Sequence, residues 1–326
     1  MNNVERMRAA LEHRPTDGPL PLWEIEFHAW DQASGRHAIF GDEFAALPPN
    51  EWDRVLHENA EILVSTSLEL GFAALTCPAR RWEIAPGVSA YYWLPDGARE
   101  EFVRLLRKLS GDRLLLVGNA GGVMGMPNAK NYLEFSYKLF DAPDEVEASA
   151  RENLKFGLKN AQAFRDLGVD AVMTASDLAD NRGPFYNPEQ MERFIFPFLR
   201  QWAAEVRKMG LHSIIHTDGN LEPCLEGIAA SGVDALQAID PTAGMDMRRT
   251  LAAVKGRLCL CGNVDCSLLL LGPAEKIYES TRKLLSECAG AGPMALGASN
   301  AVVAETPMAH YREMLRAWRE HAGAAG

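Results

Sequence analysis

His216 and Asp218 stand two residues apart in Ser213-Ile214-Ile215-His216-Thr217-Asp218-Gly219-Asn220, where an apolar run gives way to polar side chains and a glycine turns the chain. Residues two apart on an extended strand share a face, so the imidazole and the carboxylate should point the same way from the strand end. Side by side they can ligate a metal, or the acid can set which ring nitrogen carries the proton. A plain alternative fits the same pair: a strand-end histidine and a turn aspartate, polar because strand ends meet water.

Other stretches carry groups of comparable interest. The loop Ala175–Phe185 gathers Asp177, Asp180, Asn181 and Arg182 behind an apolar strand, where acids can orient a substrate or donate a proton. Leu20–Glu26, followed by Phe27, His28 and Trp30, offers Trp23, Glu24 and Glu26. Alternation with apolar neighbours puts both glutamates on one face, either at a barrel centre or on a solvated edge. Trp82, Tyr91, Tyr92 and Trp93, with Pro86 and Gly87 between them, form an aromatic loop or hairpin: buried anchors, or a lid over a flat ligand. Cys259 and Cys261 share one side of a strand as core thiols, though Cys261 could reach a metal. The glycines of Asn119–Gly125 fit neither dinucleotide nor Walker spacing and read as backbone packing near a site.

These groups need a scaffold. Apolar runs at Leu20–Glu26, Gly71–Thr76, Arg113–Gly118, Gly168–Thr174, Ser213–His216, Gly232–Ala238, Arg257–Asn263 and Pro293–Gly297 read as strands. They alternate with helical stretches at residues 51–70, 143–167, 221–231 and from Pro307 onward. Strands and helices alternating in this way argue for parallel pairing, and eight strands close a (β/α)8 TIM barrel. Every group named above then lies at its C-terminal rim. One domain spans residues 1–326, with an N-terminal helix and turn at 1–18 and a frayed tail at 319–326.

Composition narrows the partners. A net charge of −11 without a lysine- or arginine-rich run argues against nucleic acid. No apolar run approaches the ~20 residues of a membrane span. The opening Met1–Arg6 is amphipathic and lacks a secretion-signal core, and the six cysteines are scattered, so a cytoplasmic protein is expected.

In this order the pieces resemble the uroporphyrinogen decarboxylase superfamily, almost end to end. The resemblance rests on the helix before Pro15, the Asp177–Pro188 loop, Ile215–Asn220, Gly244-Met245-Asp246, Cys261-Gly262-Asn263-Val264-Asp265 and the Gly297–Pro307 ending. It implies a distorted barrel and two enzyme kinds: tetrapyrrole decarboxylases, and methyltransferases working with methylcobalamin. The decarboxylases resembled have an arginine-rich segment after the first strand and a histidine after the last. Here those places hold Trp23–Trp30, with its glutamates, and Asn300, so a polyanionic substrate would meet like charge. The coenzyme M-loading relatives hold zinc with a His-x-Cys pair and a distant cysteine; His216, Asp218 and Asn300 fall there instead. Oxygen and nitrogen ligands leave a harder Lewis acid, suited to polarising an ether oxygen.

The resemblance therefore implies a demethylase component that moves a methyl group from a small, methoxy-aromatic donor to a corrinoid. The chain lacks an Asp-x-His-x-x-Gly corrinoid signature, so that cofactor should arrive on a separate protein. In this reading His216 and Asp218 bind Zn²⁺ with Cys261 or a glutamate, Glu26 or Glu24, completing the set. Asp177, Asp180 and Asn300 act on substrate, while Trp23, Glu24, His28, Trp30, Tyr92, Trp93 and Asn181 bind it. A homodimer accords with the resemblance. The competing readings are a metal-free carboxy-lyase and a non-catalytic small-molecule-binding barrel.

Overall fold

A computed structural model describes residues 1–85 and 87–324. Seven parallel strands form one sheet in chain order: β1 (Ala74–Thr76), β2 (Leu115–Asn119), β3 (Ala171–Ala175), β4 (His212–His216), β5 (Ala235–Gln237), β6 (Cys259–Val264) and β7 (Met294–Ala298). Along each strand successive side chains alternate between two cores. Leu115, Val117, Ala171, Met173, Ile214, Ala235, Cys259, Cys261 and Ala295 fill the inside, while Leu116, Val172, Ile215, Leu236, Leu260 and Leu296 meet the helices outside. Both faces are dry, which explains the nearly continuous apolar runs.

The expected first strand, Leu20–Glu26, is reduced to a seam. Leu22 bridges Phe72 on one side and Leu296 on the other, and so closes the sheet into a ring. Three backbone bonds make that closure: Ala73 N–H to Leu22 O at 2.7 Å, Trp23 N–H to Leu296 O at 2.9 Å and Leu296 N–H to Pro21 O at 2.9 Å. Pro19 and Pro21 have no N–H to give, and the chain bends at Ile25, so no longer ladder forms.

The helix Asn3–Leu11, started by an Asn2/Glu5 capping box, lays Val4, Met7, Ala10 and Leu11 against the inner core from the N-terminal side. Trp52–Leu70 ends at Gly71, whose φ of 93° suits the left-handed cap. The helix Pro143–Asp166 brings Gly157 against the glycines after β2, where a Cβ would sit 2.2 Å from the Gly122 Cα. Close backbone approach, rather than phosphate binding, accounts for that glycine cluster. The aromatic segment is a hairpin, Glu83–Ala85 with Val88–Ser89; Pro86 lies outside the described residues. The closing helix Met308–Ala324 runs through most of the segment expected to fray, and 325–326 lie outside the described residues. Among the described residues no helix is long and apolar enough to cross a membrane.

Candidate functional site

The inward-facing register delivers the central histidine. Ile214 belongs to the inner core, so His216, two residues on, faces inward at the strand's C-terminal end. On the next strand Gln237 follows Ala235 in the same way and pairs in register with His216. Gln237 is buried, and its Nε2 lies 3.4 Å from Ala298 O and 3.3 Å from Ser299 O. Only an N–H can face two carbonyl oxygens, so Gln237 Oε1 must be the atom 2.5 Å from His216 Nδ1. His216 therefore donates from Nδ1, which in the neutral ring leaves the lone pair on Nε2, pointing the other way.

That lone pair faces acids. Asp177 Oδ1 and Asp218 Oδ2 each lie 3.8 Å from His216 Nε2. The three ligand atoms fall within 4.8 Å of one another. Asn300 Nδ2 donates to Asp218 Oδ2 at 2.6 Å, and Asp218 N–H donates to Asp177 Oδ1 at 3.1 Å. Asp218 Oδ1 is buried with no hydrogen-bond partner. Burial lifts the Asp218 carboxyl to about 6, while His216 pulls it down and Asp177 pushes it up. Three acceptor atoms converge, each carboxylate oxygen already holding one donor of its own, while the second Asp218 oxygen is buried without any. That donor set fits a divalent cation with nitrogen and oxygen preference, held by Asp177, His216 and Asp218.

The cluster sits in the wall of a cavity of about 960 Å³ at the C-terminal mouth. Ile25, Trp82, Ile84, Tyr91 and Met173 give it an apolar side, and Glu26, His28 and Asn300 a polar one. Glu26 Oε2 and His28 Nε2 are 2.8 Å apart. Arg80 and Arg81 reach the rim, but each is engaged: Arg80 with Asp96 and the face of Phe156, Arg81 with Asp42 and the face of Trp93.

The uroporphyrinogen decarboxylase (URO-D) family matches residues 100–321, which is well over half of the chain and includes the whole cluster. The chain belongs to that family. A uroporphyrinogen decarboxylase from Anaeromyxobacter dehalogenans (strain 2CP-C) is 26% identical over 200 residues, covering 59% of this chain and 53% of that protein. The match thus spans about half the length of that curated relative. A methyltransferase from Methanosarcina mazei superposes with a TM-score of 0.75 at 18% identity, over 98% of this chain and 99% of that one. The structure of SacUVDE follows at a TM-score of 0.50 and 10% identity, over 91% and 98%. At such identities these two likenesses concern the fold alone.

Within this URO-D barrel the expected site residues separate. His216, Asp218 and Asn300 come together, and Asp177, expected to act on substrate, joins them as a third ligand candidate. Glu26 and Cys261 stand outside that ligand-atom group. Cys261 is fully buried in the inner core, and Glu26 faces the cavity beside His28. Glu24 and Glu26 do not share a face, because the bend at Ile25 breaks the alternation. Glu24 is buried against β7, accepting from Ala298 N–H at 2.7 Å and Tyr311 O–H at 2.8 Å. Asp180 caps its own turn, accepting from Arg182 and Gly183 N–H, and Asn181 beside it is exposed. Trp23, Trp30, Tyr92 and Trp93 are buried: Trp23 donates to Thr76 Oγ1, Trp30 stacks edge-on against Phe27, and Tyr92 donates to Thr76 O.

Sequence reasoning missed Gln237, although strand register carries its signal: it ends the neighbouring strand at the level of His216. Gln237→Leu should leave Nδ1–H unpaired and free the ring to turn. Metal affinity, measured by chelator competition, should fall about 10–100-fold, as for other outer partners of a ligating histidine. Unchanged affinity would remove Gln237 from the site.

Proposed function

We propose that this chain is the donor-side methyltransferase of a corrinoid-dependent demethylation. It takes a methyl group from a small methoxy-aromatic donor and passes it to the cobalt of a separate corrinoid protein, in the cytoplasm, with Zn²⁺ held by Asp177, His216 and Asp218. The observation that supports this most is the convergence of His216 Nε2 with the two carboxylates of Asp177 and Asp218.

A bound zinc ion would supply a Lewis acid toward the ether oxygen as its methyl departs. The remaining work falls to the chain. Trp82, Tyr91 and Ile84 offer a flat ring an apolar wall. Gln237 and Asn300 hold the imidazole and Asp218 in one orientation, so no reorganisation is needed when substrate arrives. His28, paired with Glu26, can return a proton to the departing phenolate oxygen. The methyl leaves without its bonding electrons, which stay on that oxygen, and reduced cobalt provides the new pair.

The competing reading is a carboxy-lyase, favoured by the family's name and by Arg80 and Arg81 at the rim. Against it, the inner wall presents Glu26, Asp177 and Asp218, and both arginines are already paired. One experiment separates the two. Purified chain is incubated anaerobically with reduced corrinoid and either a methoxy-aromatic or a polycarboxylated tetrapyrrole. The expected result is methyl-cobalt formation with the first, lost on chelation and restored by zinc. Carbon dioxide release from the second, or full activity in metal-free protein, would overturn the proposal.

A further inference from the structure

We propose that Glu24 is a positioning residue for the ligand cluster, acting through the backbone of Ala298–Asn300; this rests on the metal-site reading above. In a continued parallel ladder, the bond after Trp23 N–H to Leu296 O would run from Ala298 N–H to the Trp23 carbonyl. The chain bends away instead, and Ala298 N–H donates to Glu24 Oε2. A side chain thus stands in for that rung, and backbone pairing resumes only beyond it, with Val302 N–H to Glu26 O at 2.9 Å and His28 N–H to Val302 O at 2.7 Å.

What that rung holds is the segment that orients the site. Ala298 O and Ser299 O both accept from Gln237 Nε2, the contact that fixes the His216 tautomer. At 3.4 and 3.3 Å these bonds have little distance to spare. One residue further, Asn300 Nδ2 holds Asp218 Oδ2, while Asn300 Oδ1 accepts from Ala301 N–H at 2.6 Å, which fixes its amide. Both His216 and Asp218 are therefore steered from three consecutive residues, tied to β6 on one side through Ser299 N–H to Val264 O at 2.7 Å and on the seam side, at the first member, by Glu24. Tyr311, from the closing helix, holds the other carboxyl oxygen. Neither Glu24 nor Tyr311 lines the cavity, so neither touches substrate. A buried acid is seldom the most stable filling for such a place; an apolar side chain of similar volume often does as well or better. Its presence here is explained by what it aligns.

The test uses Glu24→Leu, which keeps volume and removes the acceptors, beside Glu24→Gln, which can accept from Ala298 N–H and donate to Tyr311 Oη. The probe is Co²⁺, read by its visible absorption, and in metal-free protein the tautomer of His216 is read from its ring ¹⁵N shifts. Glu24→Leu should weaken Co²⁺ binding about 10–100-fold, alter its spectrum and mix the His216 tautomers, while Glu24→Gln restores all three. A folded Glu24→Leu protein with wild-type affinity and an unmixed Nδ1–H tautomer would overturn the proposal. If that variant does not fold, Tyr311→Phe, which frees the carboxyl to swing, decides by the same readouts. Should wild-type protein bind no Co²⁺, the metal reading fails by itself, and the tautomer comparison still judges Glu24.

Discussion

His216→Ala should reduce zinc in the purified protein from about one ion per chain to background, and demethylation with it. The three candidate ligands differ in how far water can replace them. Their side chains are 11% exposed for His216, 29% for Asp218 and 48% for Asp177. A buried ligand leaves a gap in a low-dielectric wall when removed, whereas a half-exposed one is partly replaced by solvent. The order of lost affinity should therefore be His216 before Asp218 before Asp177, with Asp177→Asn the mildest. Asp177→Asn also keeps an oxygen that can accept from Asp218 N–H, so the loop stays in place. Elemental analysis and chelator competition across the three variants would check this. Equal small effects from all three, or a His216→Ala protein that retains its zinc, would mean that the acids and the imidazole meet for another reason.

What can be read from the chain alone follows the periodicity of the backbone. A strand repeats every two residues, so His216 and Asp218 could be placed together, and the glycine after them marked where the strand ends. Asp177 lies on a loop with no repeat. Its position depends on tertiary ties, Met126 N–H to Asp177 O and Leu178 N–H to Thr217 Oγ1, which no local pattern announces. The sequence marks it as functional but not as a ligand. Glu24 and Glu26 show the converse: alternation predicts a shared strand face, but two prolines and a bend keep the segment from being a regular strand. The aromatic residues defeated composition altogether. Trp82 and Tyr91 line the cavity while Tyr92 and Trp93, beside Tyr91 in the chain, pack away from it, and only the hairpin's own geometry separates them.

Gly297→Ala should destabilise the barrel and loosen the site together. A Cβ there would lie 2.1 Å from Trp23 O and 3.3 Å from Glu24 Oε2. The nearer atom is backbone, so no rotamer change can relieve the overlap, and the seam itself has to move. That seam has few bonds to give: those of Leu22 and Leu296 on one side of Gly297, and on the other the Glu24 contact to Ala298 and the Phe27–Val302 bridge. Overpacking of this kind costs about 3 kcal/mol. At roughly 2 °C per kcal/mol for a chain of this size, Tm should fall by about 6 °C. Gly256→Ala is the control: its φ of 73° carries backbone strain, but nothing lies within 4 Å of the new methyl. That change should cost about 1 kcal/mol and leave metal binding alone. If both variants melt alike and both keep their metal, close approach at the seam does not govern the ring. If Gly297→Ala alone loses affinity, the force that closes the barrel is also the one that aims Asn300 and Gln237 at their partners.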